Sequence, residues 1–280
     1  MTNPSARGLA VSNIAWPADP ESRDEALRIL LDGGATGIEV APSMLFADPA
    51  SASPDEITGA RALFEDRGLP VVAMQALLFN RPNLKVFGTP REQAALLDHL
   101  TAMAHMAALL GARVLVFGSP KNRLRGDIGP DQADEAAAPF FQQLGRRAHD
   151  LGVVFGIEAN PPGYGCDWLT TLDQAAAFVD RVASPGIALH GDAGGMIMSG
   201  QAPPTNHRAL AHHHASEPNL DPLTNRPEQS AIARWLAGTG HTGWVSIEMR
   251  KPEKDWQHAL RQALHNARIA YAPCLGNRVP

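Results

Sequence analysis

Short apolar runs bounded by glycine, proline or aspartate alternate along the chain with longer stretches whose apolar residues recur at helical spacing. This alternation is the pattern of βα units around a parallel sheet. The runs predict strands over residues 9–15, 37–41, 71–75, 114–118, 153–158, 187–192, 210–215 and 244–248. Helices are predicted over 20–31, 55–66, 90–110, 131–151, 171–182, 227–237 and 252–271. Between the sixth and seventh strands the pattern lapses: residues 200–206, with QAPPTN at their centre, are so rich in proline and polar side chains that the helix there is expected to be short or missing. Start signals stand at Asp55, at Thr89 before Pro90, and at Thr170 three residues before Asp173. Gly33, Gly68, Gly111, Gly152 and Gly238 mark helix ends.

Eight strands, nearly all followed by a helix, predict an α/β protein with a single (β/α)8 TIM barrel over residues 1–280. No linker or repeat suggests a domain boundary. The chain of 280 residues is 44% hydrophobic and 19% charged, enough for one large core. Its formal net charge of -5, with Lys and Arg scattered, argues against a nucleic-acid partner. No stretch reaches the roughly 18 consecutive apolar residues of a membrane span. The opening MTNPSARGLAVSN has neither a basic start nor an apolar core, so a cytoplasmic protein is expected, with no membrane partner. Cys166 and Cys274 are too few for a disulfide framework or a zinc knuckle. A homo-oligomer is compatible with all of this.

Barrel chemistry sits at the C-terminal strand ends, which reduces the search to eight short places. Four of these carry metal-type donors: Glu158 in VFGIEAN, Asp192 in ALHGDAGG, His214 in AHHHASEP and Glu248 in WVSIEMR. They belong to neighbouring strands five to eight and converge above the barrel as three oxygen ligands and one nitrogen. Such a set favours Mn²⁺, Mg²⁺ or Co²⁺ and is also compatible with Zn²⁺ in an open catalytic site. Any one acid could merely cap a helix; the conjunction carries the reading. Glu158 and Glu248 each follow an isoleucine at the end of a β-type run, where an apolar strand emerges into a cleft. Strand alternation puts His212 on the face of His214, and His190 on the face of Asp192, one layer deeper. Each of these two is expected either to support a ligand or to be a hydrogen-bonded core histidine.

These strand ends resemble the xylose-isomerase-like superfamily of barrel enzymes, and the resemblance spans nearly the whole chain. IEANPPGYG, HASEPNL and VSIEMR carry it most specifically, with AMQALLF and VFGSPKNR behind them. The chain is most similar to the sugar phosphate isomerase/epimerase group, and HASE is similar to the His-x-x-Glu of keto-sugar 3-epimerases. The resemblance implies one divalent ion, Mn²⁺ first, held by Glu158, Asp192, His214 and Glu248, with the two glutamates doubling as the proton-transfer pair. One departure stands out: Gly195 occupies the place, three residues after the strand-six aspartate, where the family often has a substrate-contacting histidine. The DNA-repair endonuclease branch needs further zinc ligands and a basic face, which this acidic chain does not suggest.

The chemistry expected is proton abstraction next to a ketone through a metal-bound enediolate. Two carboxylates on opposite faces of a sugar or sugar-derivative substrate divide the acid and base roles. A ketose 3-epimerase is the first choice; an inosose-type dehydratase or aldose–ketose isomerase uses the same donors. Candidate substrate contacts are Gln75, Asn160, Glu217, Arg250, and Lys121 and Arg123 as a cationic cluster after strand four. Trp16, Phe79 and Trp168 are candidates for an apolar wall or lid. An inactive barrel acting as a binding subunit predicts an eroded ligand set, against the four intact donors. A metallohydrolase predicts His-x-His on strand one, which LAVSNIAW lacks.

Overall fold

The computed structural model describes residues 8–203 and 209–275. Eight parallel strands close into a barrel in sequence order. They are β1 (Leu9–Ser12), β2 (Gly37–Val40), β3 (Val71–Met74), β4 (Val114–Phe117), β5 (Val154–Glu158), β6 (Ile187–Asp192), β7 (His212–Ser216) and β8 (Trp244–Glu248). The helices are α1 (Pro20–Asp32), α2 (Pro54–Glu65), α3 (Pro90–Leu110), α4 (Pro130–Asp150), α5 (Leu172–Val182), α6 (Ala193–Met198), α7 (Pro227–Gly238) and α8 (Trp256–Ala270). No helix among the described residues is long and apolar enough to cross a membrane.

The helix starts are set by local chemistry. Ser53 and Thr89 each accept from the backbone N–H three residues on, while Glu56 and Glu92 reach back to the cap, closing two capping boxes ahead of a first-turn proline. Thr171, not Thr170, caps α5, its side chain accepting from Gln174 N. Gly111 ends α3 at φ 86, a left-handed conformation that suits glycine.

Two boundaries shift in ways that matter for the site. The strand predicted over 9–15 ends at Ser12 and turns into a single 3-10 turn, Asn13–Ala15. There the Asn13 side chain ties to the Ala41 backbone, accepting from its N–H at 2.7 Å. The seventh strand starts two residues late, at His212, because its ladder to β6 begins with His190↔His212. The short sixth helix follows Asp192 directly. Residues 201–203 are irregular, as the proline-rich pattern predicts, and the rest of that prediction, 204–206, lies outside the described residues.

The barrel interior is stratified. At its N-terminal end Ala10, Val72, Ala73 and Val114 pack with Val154, Ala211 and Trp244 into an apolar plug. Above the plug, Ser12, Glu39, His190, His212, His214 and Ser246 are all buried. The registers Ser12↔Glu39, His190↔His212, Asp192↔His214 and His214↔Ser246 stack them in adjoining layers. A barrel core is normally filled by branched apolar side chains. Here its upper half is polar, directly beneath the mouth.

Candidate active site

Glu158, Asp192 and Glu248 end β5, β6 and β8, and His214 lies at the middle of β7. Each offers one ligand atom, and these atoms all lie within 4.8 Å of one another. His214 Nδ1 sits 3.0 Å from Glu248 Oε2, 3.8 Å from Asp192 Oδ2 and 3.9 Å from Glu158 Oε1. Asn160 Nδ2 donates to Glu158 Oε2 at 3.0 Å. A Cβ on Gly118 would fall 2.0 Å from that same oxygen, so the glycine at the end of β4 makes room for the carboxylate. Asp192 Oδ1 accepts from Gly195 N at 2.6 Å as the cap of α6, and its Oδ2 accepts from Ser216 Oγ at 2.5 Å.

Crowding these acids together has an electrostatic consequence. Burial, then Asp192 and Glu248, push Glu158 up to about 8. Burial, then Glu248, push Asp192 up to about 6. Burial opposes a charge on His214, but Glu39 and Glu248 outweigh it and hold the imidazole well above its usual range. Carboxylates that repel one another in a buried pocket are the kind of donor set that a divalent cation neutralises. Three oxygens and one nitrogen at this spacing fit a metal ion.

The four donors lie among the residues lining a cavity of about 580 Å³, together with Gln75, Phe79, Lys121, Asn160, Tyr164 and Leu220. Gln75 is pinned by donating to Ser12 Oγ at 2.7 Å. The structure thus brings Gln75, Lys121 and Asn160 to the donors, and it leaves the other predicted contacts elsewhere. Arg123 is fully buried rather than part of a cationic mouth; its Nη2 donates to the Glu158 carbonyl at 2.7 Å. Glu217 is occupied by Thr224, Gln229 and Arg226, the last at 3.0 Å, and lies outside the cavity lining. Arg250 also lies outside it, its Nη2 donating to Asn219 O at 3.1 Å. Phe79, 61% exposed, does line the cavity. Trp16 and Trp168 are core residues, the latter stacked edge-on among Phe87 and Phe178.

Sequence reasoning missed Glu39, Ser216 and Tyr164. Glu39 carried a usable signal: GIEV on β2 repeats the Ile–Glu step of GIEA on β5 and SIEM on β8. His190 and His212 are fully buried, with His190 Nε2 3.8 Å from Glu158 and His212 Nε2 3.5 Å from Glu39.

The fold has many likenesses among solved structures. D-psicose 3-epimerase with D-tagatose from Clostridium cellulolyticum H10 matches with a TM-score of 0.75 at 14% identity, covering 94% of this chain and 99% of that one. L-ribulose 3-epimerase matches with a TM-score of 0.73 at 16% identity, covering 98% and 100%. The IOLI protein with a bound zinc atom matches with a TM-score of 0.71 at 17% identity, covering 96% and 99%. A comparison with curated protein sequences finds no match. Sequence evidence of kinship comes from the model of the xylose isomerase-like TIM barrel, which matches residues 27–266, from α1 to α8 and through all four clustered donors. The chain belongs to the xylose isomerase-like TIM barrel family.

Proposed function

We propose that this protein is a divalent-metal-dependent ketose epimerase, with inversion at the carbon next to the ketone, C3, as its reaction. The observation that carries the reading is the meeting of Glu158, Asp192, His214 and Glu248 beside a cavity of about 580 Å³, room enough for a sugar. These four residues would hold the ion, Mn²⁺ first among Mn²⁺, Mg²⁺, Co²⁺ and Zn²⁺. When bound, it supplies Lewis acidity, which lowers the barrier to forming negative charge on a ketone oxygen.

The remaining work falls to side chains. Removing a proton beside a ketone needs a general base at the cavity, and Glu158 is the carboxylate that supplies it. Asn160, donating to one oxygen, and Gly118, leaving space beside it, hold that carboxylate toward the cavity. Glu248, three strands away and also lining the cavity, is the partner that delivers a proton to the opposite face. Gln75 and Asn160 offer amide donors to sugar hydroxyls, and Lys121 offers a cation at the mouth. The resemblance of HASE to the keto-sugar 3-epimerase motif, and the activities of the epimerases named above, favour epimerisation over the isomerase and dehydratase chemistries that the same donors allow.

The test is metal analysis followed by a ketose panel in D₂O. The expected result is one divalent ion per chain and deuterium entering the carbon beside the ketone with inversion. Glu158→Gln and Glu248→Gln should abolish the exchange. Deuterium uptake that survives both substitutions removes the glutamates from proton transfer, and a protein that takes up no divalent ion removes the mechanism.

A further inference from the structure

Glu39 has no part in that mechanism. It is fully buried on β2, absent from the cavity lining, and beyond reach of a substrate. Both of its oxygens nevertheless address one atom: His214 Nε2, at 3.0 Å from Oε1 and 3.1 Å from Oε2. The other ring nitrogen, Nδ1, faces Glu248, Asp192 and Glu158. His214 is thus gripped from below by one carboxylate while it meets the donor cluster above.

A neutral imidazole carries a single N–H, and only its other nitrogen has a lone pair to give a metal. A carboxylate accepts hydrogen bonds and cannot donate one; Nε2 meets Glu39 in hydrogen-bond geometry whereas Nδ1, though 3.0 Å from Glu248, makes no hydrogen bond, so the single proton of a neutral His214 belongs on Nε2. We infer that Glu39 is a positioning residue that fixes His214 in the Nε2–H tautomer and presents Nδ1 as the metal ligand. The inference rests on the metal reading of the cluster. The surrounding layer supports the arrangement: His212 Nε2 lies 3.5 Å from Glu39 Oε2, and the His190 ring meets His214 edge-on at 4.3 Å between centroids, which restricts rotation of the ring. Glu39, His212 and His214 could by spacing alone hold an ion of their own. That alternative would place an ion where the two oxygens of Glu39 now share the Nε2 proton, and it would give a second ion per chain.

Two measurements test the inference. The first is Mn²⁺ binding, by calorimetry and by the EPR signal of free Mn²⁺, to the wild-type chain and to Glu39→Gln, with circular dichroism confirming the fold. The amide keeps the shape and removes the charge, and we expect binding about 10- to 100-fold weaker, the usual effect of losing an outer-shell partner. The second needs no variant: in ¹⁵N-histidine-labelled wild-type chain loaded with ¹¹³Cd²⁺, the cadmium should couple to an Nδ1, with Nε2 of that ring protonated. Unchanged Mn²⁺ affinity in a folded Glu39→Gln protein overturns the inference, as does cadmium coupling to Nε2 or a second ion per chain. A wild-type chain that binds neither metal instead overturns the reading of the cluster itself.

Discussion

The two halves of the barrel do different jobs. Strands β5 to β8 supply the four donors that line the cavity: Glu158, Asp192, His214 and Glu248. Strands β1 to β4 supply none of them, yet their ends carry Ser12, Glu39, Gln75 and Gly118, each of which touches or makes room for a residue of the site. One half holds the cavity donors, and the other packs against them. The difference teaches that a site of this kind is read poorly from its donors alone, because half of what determines its geometry has no reactive group to advertise it.

The reactive half should break hardest. On the proposed mechanism, Glu158→Gln or Glu248→Gln removes a general acid or base, a term of about 10²- to 10⁴-fold, so kcat in an epimerase assay should fall by at least that much. The supporting half should break by displacement instead. In Gly118→Ala the new methyl would meet Glu158 Oε2 at 2.0 Å, so the carboxylate must move. A shift of about 1 Å costs on the order of 10²-fold in rate, and kcat/KM should fall by about that factor while the melting temperature stays near wild type. An unaltered rate in Gly118→Ala would show that the supporting half does not constrain the base.

How much of this was legible follows the same division. The eight strands and the four donors stand out because apolar runs ending in Glu, Asp or His leave a linear trace. Glu39 was legible too, in the Ile–Glu step it shares with Glu158 and Glu248, but its strand lies across the barrel from the donors and only closure brings it under His214. Arg123 and Glu217 misled for the converse reason. A charged residue in a strand-end loop reads as a mouth residue, whereas here the loop folds inward and each charge finds a fixed partner, the Glu158 carbonyl for one and Arg226 for the other. The seventh strand began late because the ladder, not the apolar pattern, sets where pairing starts.

Proton competition sharpens the comparison from the donor side. A carboxyl whose pKa is raised keeps its proton until the pH climbs past that value, so Glu158 at about 8 and Asp192 at about 6 must lose protons to admit a cation. His214, also raised, acts in the same direction. If the cluster holds a cation, its affinity should therefore fall as the pH drops below about 8. Competition by the Glu158 proton alone lowers it roughly 50-fold between pH 8 and pH 6. Calorimetry in buffers of different ionisation enthalpy should detect proton release on binding at pH 7. An affinity that is flat from pH 6 to 8 would mean that the acids ionise normally and that their crowding is relieved by other means.

The smallest effect belongs to Arg250, which neither half needs for chemistry. Its Nη2 donates to Asn219 O and its backbone N–H to Leu220 O at 2.8 Å, so it braces the loop after β7, where Asn219 and Leu220 adopt φ of 61 and 59. Leu220 lines the cavity. Arg250→Ala removes the exposed side-chain bond and keeps the backbone one, a loss of about 1 kcal/mol or less in loop stability. Some of that loss should appear as a looser cavity wall, raising KM a few-fold with kcat and metal affinity unchanged. If Arg250 instead contacts the substrate directly, the same variant should discriminate between anionic and neutral ketoses. A fall in affinity confined to anionic substrates would return Arg250 to the site.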